Sequence, residues 1–267
     1  MNTHRNWNVA ENNEDMIQIN AMQSGNPTLT NTTFSRFGFE RAVGEEMTIQ
    51  GVVFKTLILL LIALLAASWT WMTFSQGHTG LVTGAFWVGL IGGFALALVT
   101  TFKMAWSPVT APLYAAFEGL FLGGISAGLE AAFPGIAVQT IGLTIATMFG
   151  MFAAYQTGIV QVTDKLKSTI ILATFGIAIF YLISMILSLF GIGIPLVFGN
   201  GCVGIGFSVL VVGVAAFNLL IDFDFIANGI ARRSPKYMEW YSGFALLVTL
   251  VWLYLEILRL LAKLRPR

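Results

Sequence analysis

The chain has 267 residues, 57% of them apolar and only 10% charged, with a net charge of +1. Soluble domains carry about 25% charged residues, so an ordinary soluble domain is excluded, and nothing in the near-neutral balance suggests nucleic-acid binding. The single cysteine, Cys202, excludes an intrachain disulfide and a multi-thiolate metal site, and two isolated histidines, His4 and His78, cannot build a buried zinc site or axially ligate haem.

In chain order, residues 1–50 form a polar tail rich in Asn and Thr, with charges of both signs. It is too long and too polar to be the n-region of a secretory signal. Residues 1–24 lack apolar periodicity and are expected to be disordered. The stretch GNPTLTNTTF (25–34) is turn-like, and its apolar residues can dock at a membrane surface. Seven apolar stretches follow, at 53–74, 81–102, 108–129, 136–160, 168–190, 201–226 and 241–263. At ~1.5 Å per residue each can cross the ~30 Å hydrocarbon core of a bilayer. The expected fold is an all-α membrane protein with a seven-helix transmembrane domain over residues 51–267, embedded in lipid. Short connections make consecutive helices antiparallel neighbours. The small residues of VGLIGGFALA (88–97) and GLFLGGISAG (119–128) are expected to let helix backbones approach closely. Gly191, Gly193 and Pro195 read as a loop after the fifth span, and Cys202 as a packed small residue in an apolar run.

Lysine and arginine set the orientation. Arg5, Arg36, Arg41 and Lys55 precede or open the first span, Lys103 lies in the second loop, Lys165 and Lys167 in the fourth, and Arg232, Arg233 and Lys236 in the sixth. The first, third and fifth loops have no Lys or Arg. The N-terminus is therefore expected in the cytoplasm. Seven crossings place the C-terminus outside, where Arg259, Lys263, Arg265 and Arg267 are exceptions to the rule.

Charges inside the spans point to function, because a carboxylate in lipid costs at least ~2.5 kcal/mol unless it faces protein or water. Glu118 lies ~10 residues into the third span, about 15 Å deep and near the midplane. Asn218 in the sixth span is at similar depth, so a Glu118–Asn218 contact would reduce the cost of both. Tyr114 is one turn before Glu118 on the same face, and Asn218 and Asp222 share a face of the sixth helix. These groups are expected to line one polar cavity open to the cytoplasm. Burial favours the neutral form of a carboxylate; a cation, or a basic side chain such as Lys103, favours the charged form. Asp224 points to another face and can pair with Arg232 or Arg233 at the surface. Glu130 and Glu239 fall at span ends and are expected to be solvated. Glu256 and Arg259, at i and i+3, can pair on the last helix. Glu256 lies roughly 22 Å from the cytoplasmic end of its span and Asp222 only ~6–7 Å from that end, which disfavours direct contact between them.

Three segments carry a family resemblance. FNLLIDFDFI (217–226) resembles the sixth-helix signature of the Bax inhibitor-1 family, APLYAAFEGLFLGGIS (111–126) its third helix, and WLYLEILRLLAKL (252–264) its last. NPTLTNTTF and SPKYMEWY (234–241) look like a bacterial branch with an extended N-terminal tail, which implies the bacterial inner membrane. The resemblance covers most of residues 25–265. It implies six helices around a central seventh, and a pH-sensitive calcium leak closed by paired aspartates on helices six and seven. Asp222 matches the first aspartate. For the second, aligning LYLE with the family's LYLD gives Glu256 at the wrong depth, whereas aligning ILR (257–259) with its LLR gives Thr249 at a sensible depth without a charge. On depth, the chain lacks the paired-acid latch, and Glu118 is the candidate replacement.

The expected function is a cation (calcium) leak channel or transporter gated by carboxylate protonation, with no cofactor beyond transient Ca2+ and no fixed metal site. The competing function is a non-conducting regulatory protein that binds other membrane proteins, such as quality-control proteases. Carboxylates lining a wet cavity favour the first; burial of that face against lipid or a partner favours the second. Enzyme chemistry is not expected. No histidine lies within a span to activate a serine such as Ser208, both intramembrane aspartates are on one helix, and Lys263 stands at the end of the last span rather than where a retinal would need it.

Overall fold

The computed structural model describes residues 46–191, 197 and 199–265. The expectations for 1–24 and 25–34, and for Gly193 and Pro195, fall outside them. Among the described residues seven long helices are present: α1 (Ile49–Ser75), α2 (Thr79–Phe102), α3 (Ser107–Ala132), α4 (Ile136–Gln156), α5 (Asp164–Leu189), α6 (Cys202–Ala231) and α7 (Met238–Leu264), with a 3-10 turn, Met104–Trp106, before α3. All seven are long and apolar enough to cross a membrane. Large side chains such as Leu65, Phe94 and Leu172 stand exposed around the outside, a continuous apolar surface that hydrocarbon covers and water does not.

Helix starts follow local chemistry. The Thr48 hydroxyl accepts from the Gly51 N–H at 3.0 Å to cap α1, and Thr163 does the same for α5 through Leu166 N. α4 is capped from outside: the Glu130 carboxylate accepts from Gly135 N at 2.6 Å and Ala137 N at 3.0 Å, across a Gly135 whose φ of +83° suits glycine. Glu130 is therefore a helix cap as well as a partly exposed end group.

α7 is the central helix. Every residue from Tyr241 to Leu247 is buried, as expected of a helix covered on all sides. It packs against α1, α3, α4 and α6. α2 packs chiefly on α3, and α5 on α6. Glycines set the tightest seams. A Cβ at Gly119 or Gly123 would collide with the α1 backbone at Ala63 or Ala67, and one at Gly89 would lie 2.6 Å from the carbonyl oxygen of Phe117. The small-residue runs are where helices meet backbone to backbone.

Two expectations from the sequence are corrected. α6 continues past 226 to Ala231, because Asn228 turns its amide back onto the Asp224 carbonyl at 2.8 Å and keeps the helix satisfied through polar residues. Asp222 then lies about 14 Å, not ~6–7 Å, from the end of its helix. Cys202, expected to be packed, is exposed as the first residue of α6.

Candidate functional site

Buried polar groups fall into three layers along the bundle. In the middle, Asp222 on α6 is 0% exposed and accepts a hydrogen bond from Thr249 Oγ1 of α7 at 2.6 Å. Thr249 is about 16 Å from the start of α7, a depth that meets Asp222 once α6 has its full length. One turn away, Asn218 donates from Nδ2 to Thr174 Oγ1 of α5 at 2.8 Å and to the Val214 carbonyl at 2.9 Å. Its Oδ1 is buried with no partner among the described residues, as is Ser242 Oγ on α7. The middle layer thus holds a carboxylate, an amide and hydroxyls from three helices.

Glu118 is not aimed at Asn218. Its carboxylate turns to α2, where a Cβ on Gly93 would lie 3.0 Å from Oε2, and it lies beside the Tyr114 hydroxyl. Tyr114 in turn packs edge-on against Phe244 of α7, ring centroids 4.9 Å apart. The expected Glu118–Asn218 pair gives way to two separate polar seams, because the glycines at 89, 92 and 93 draw α2 onto the Glu118 face of α3. Lys103 is exposed at the end of α2.

Near the end of the bundle that carries the N-terminal tail, Asp224 pairs with Lys167 of α5 at 2.8 Å, in place of the pairing with Arg232 or Arg233 expected above. Arg233 instead faces Glu46 at 3.8 Å. Glu239, expected to be solvated, is 0% exposed. It is ion-paired with Lys55 and, at 3.5 Å, with Lys236, and accepts from Thr48 N at 2.9 Å and Thr48 Oγ1 at 3.0 Å. This cluster joins the start of α1 to the start of α7. The segment before α1 is also held by Met47 N donating to Ser234 O at 2.8 Å.

At the opposite end, Glu256 is buried and pairs with Arg259 Nη1 at 3.0 Å. Tyr181 of α5 donates to the same carboxylate at 3.0 Å and accepts from Arg259 at 2.6 Å. Lys263 is buried too, and its ammonium donates to Val197 O, Gly204 O and Ser208 Oγ at 2.8–2.9 Å. Ser208 is therefore an acceptor for Lys263, beyond packing. Among the described residues, no three His, Cys, Asp or Glu side chains come together as a metal-ligand set.

Seven apolar spans, four of them packed on a central α7 where the resemblance implies six, with carboxylates bridging buried seams, define a polytopic helical membrane protein. Residues 10–266 match the family described as Bax inhibitor 1 like, and the chain belongs to that family. No curated protein and no solved structure matches the chain.

Proposed function

We propose that this protein is a pH-sensitive cation leak or transporter, for calcium in the first instance, of a bacterial inner membrane with its N-terminus in the cytoplasm. It binds no cofactor, acts by conduction rather than catalysis, and uses the Asp222–Thr249 seam as its ion gate. The observation that carries the reading is the placement of Asp222: a wholly buried acid about 14 Å from the end of α6, bridged to the central helix by a hydroxyl. A carboxylate at that depth is costly to keep, and such groups typically mark ion or proton paths. In its charged form it attracts a cation, and protonation removes the attraction, so conduction falls as pH falls. Asn218 Oδ1, one turn from Asp222, is a further buried oxygen that a partly dehydrated cation could use.

Compared with a paired-acid latch, this seam has a hydroxyl where the family resemblance expects a second acid. One proton then suffices to neutralise it, and the titration of flux should follow a single site. Ca2+ flux into liposomes containing the purified protein tests the reading, with Asp222→Asn and Glu118→Gln beside the wild type. Flux that depends on pH in the wild type and loses that dependence in Asp222→Asn supports it. A protein that conducts in no condition favours the alternative, a regulatory protein that binds other membrane proteins such as quality-control proteases.

A further inference from the structure

α5 is attached to the bundle differently from its neighbours. Its outward face is lined by exposed apolar residues, among them Leu172, Ile179, Leu182 and Leu189, and its backbone packs on α6 rather than on the central helix. Few of its residues are buried: Lys167, Ile170, Ile177 and Ser184. Its interhelical polar contacts come at a fixed interval. Lys167 pairs with Asp224 at 2.8 Å, Thr174 accepts from Asn218 at 2.8 Å, and Tyr181 meets Glu256 and Arg259 at 2.6–3.1 Å. Positions 167, 174 and 181 are successive heptad steps on one helix face, about 10.5 Å apart along the axis. The ladder therefore has one rung in each polar layer.

Apolar packing gives little net drive for helix association in lipid, where the tails are as apolar as the side chains, so such polar contacts carry a large share of the attachment. The middle rung is incompletely satisfied, since Asn218 uses its Nδ2 on Thr174 while its Oδ1 stays buried without a partner among the described residues. Beyond its C-terminal end Gly191 has a φ of +75°, so α5 leaves the bundle there through a glycine turn, while its N-terminal end is capped by Thr163.

We propose that α5 is a gate helix, held against α6 and α7 by the three-rung polar ladder Lys167–Asp224, Thr174–Asn218 and Tyr181–Glu256/Arg259, and that its release opens a water-accessible path to the Asn218–Asp222 face. The path's use by a cation rests on the reading of Asp222 given above; the motion itself does not. The rungs at 167 and 181 tie α5 near the two ends of the bundle, and the rung at 174 sits against the residue one turn from Asp222. Releasing the ladder uncovers that turn first.

The test uses the full chain in lipid with Cys202→Ser as background. Spin labels at Leu182→Cys on α5 and Leu65→Cys on α1, both on exposed apolar positions, report the α5 distance by pulsed electron resonance. In a second set, Ile177→Cys, buried on the packed face of α5, reports water access through labelling by a charged thiol reagent. The rungs are weakened by Thr174→Val with Tyr181→Phe, both near-isosteric. Removing two interhelical hydrogen bonds of ordinary strength multiplies the released fraction by roughly tenfold, so a longer-distance component should appear and the labelling rate at 177 should rise by about the same factor. Tyr181→Phe alone, which removes one oxygen atom, carries the test with a smaller rise if the double variant does not assemble. An unchanged distance distribution overturns the proposal. So does a longer distance without labelling at 177, which would make α5 a loosened helix and not a gate. Wild-type flux in Asp222→Asn would overturn the transport reading while leaving this result standing.

Discussion

Glu239 and Asp222 are equally buried, both 0% exposed, yet they are built for different tasks. Glu239 sits at the start of α7 with Lys55, Lys236 and both donors of Thr48 around it. That is a staple: charges from α1 and α7 held together near the end of the bundle, with every change of charge state opposed by its partners. Asp222 lies about 14 Å inside α6 and is bridged to α7 by the Thr249 hydroxyl. A hydroxyl can donate to a carboxylate and accept from a carboxylic acid, so this contact survives protonation in a way that an ammonium pair does not. The difference teaches that burial alone does not mark the functional acid; what faces it does.

The largest expected effect breaks the staple. Glu239→Gln leaves Lys55 beside a neutral amide, and removing one member of a buried pair typically costs about 3–5 kcal/mol. Thermal unfolding in detergent should show a marked fall in Tm, with flux per folded molecule preserved. Next comes Gly51→Ala, whose Cβ would be driven into the Glu239 carboxyl group. Overpacking of this kind costs roughly 1–3 kcal/mol, and the same scan should place its Tm between wild type and Glu239→Gln. A smaller stability effect, about 1–2 kcal/mol, is expected for Thr249→Val, which removes a donor from a buried carboxylate. Unlike the two staple variants, it should shift the pH profile of flux. A Thr249→Val protein with an unshifted profile and a Glu239→Gln protein with a shifted one would reverse the assignment of staple and switch.

Much of the fold was legible because a bilayer imposes length and apolarity on each span, and these are written locally in the chain. The number and order of the helices need only hydropathy and the 1.5 Å rise of a helix, whereas Thr249 came from the family resemblance and its depth meets Asp222 only once α6 runs to Ala231. What was not legible is which helix face meets which neighbour. Glu239 reads as a surface acid in a first helical turn, since Lys55, its partner across the α1–α7 seam, is 184 residues away in the chain. Lys167 stands 57 positions before Asp224, and nothing nearer in sequence than Arg232 and Arg233 offered a cation. The turn of Glu118 toward α2 did have a signal: the small residues of 88–97 mark the face onto which α3 packs. The extension of α6 beyond 226 was hidden because Asn228 is a poor helix former whose side chain is satisfied within the helix.

The most direct measurement is the pH profile of Ca2+ flux through Asp222→Asn in liposomes across roughly pH 5–8. It is to be taken beside the wild type and with Tm recorded on the same preparations. Thr249 can still donate to the amide oxygen of Asn, so the fold should hold within about 1 kcal/mol. The account predicts altered flux with a flat profile in Asp222→Asn against a rise with pH in the wild type. A conducting Asp222→Asn protein that keeps the wild-type profile would contradict it.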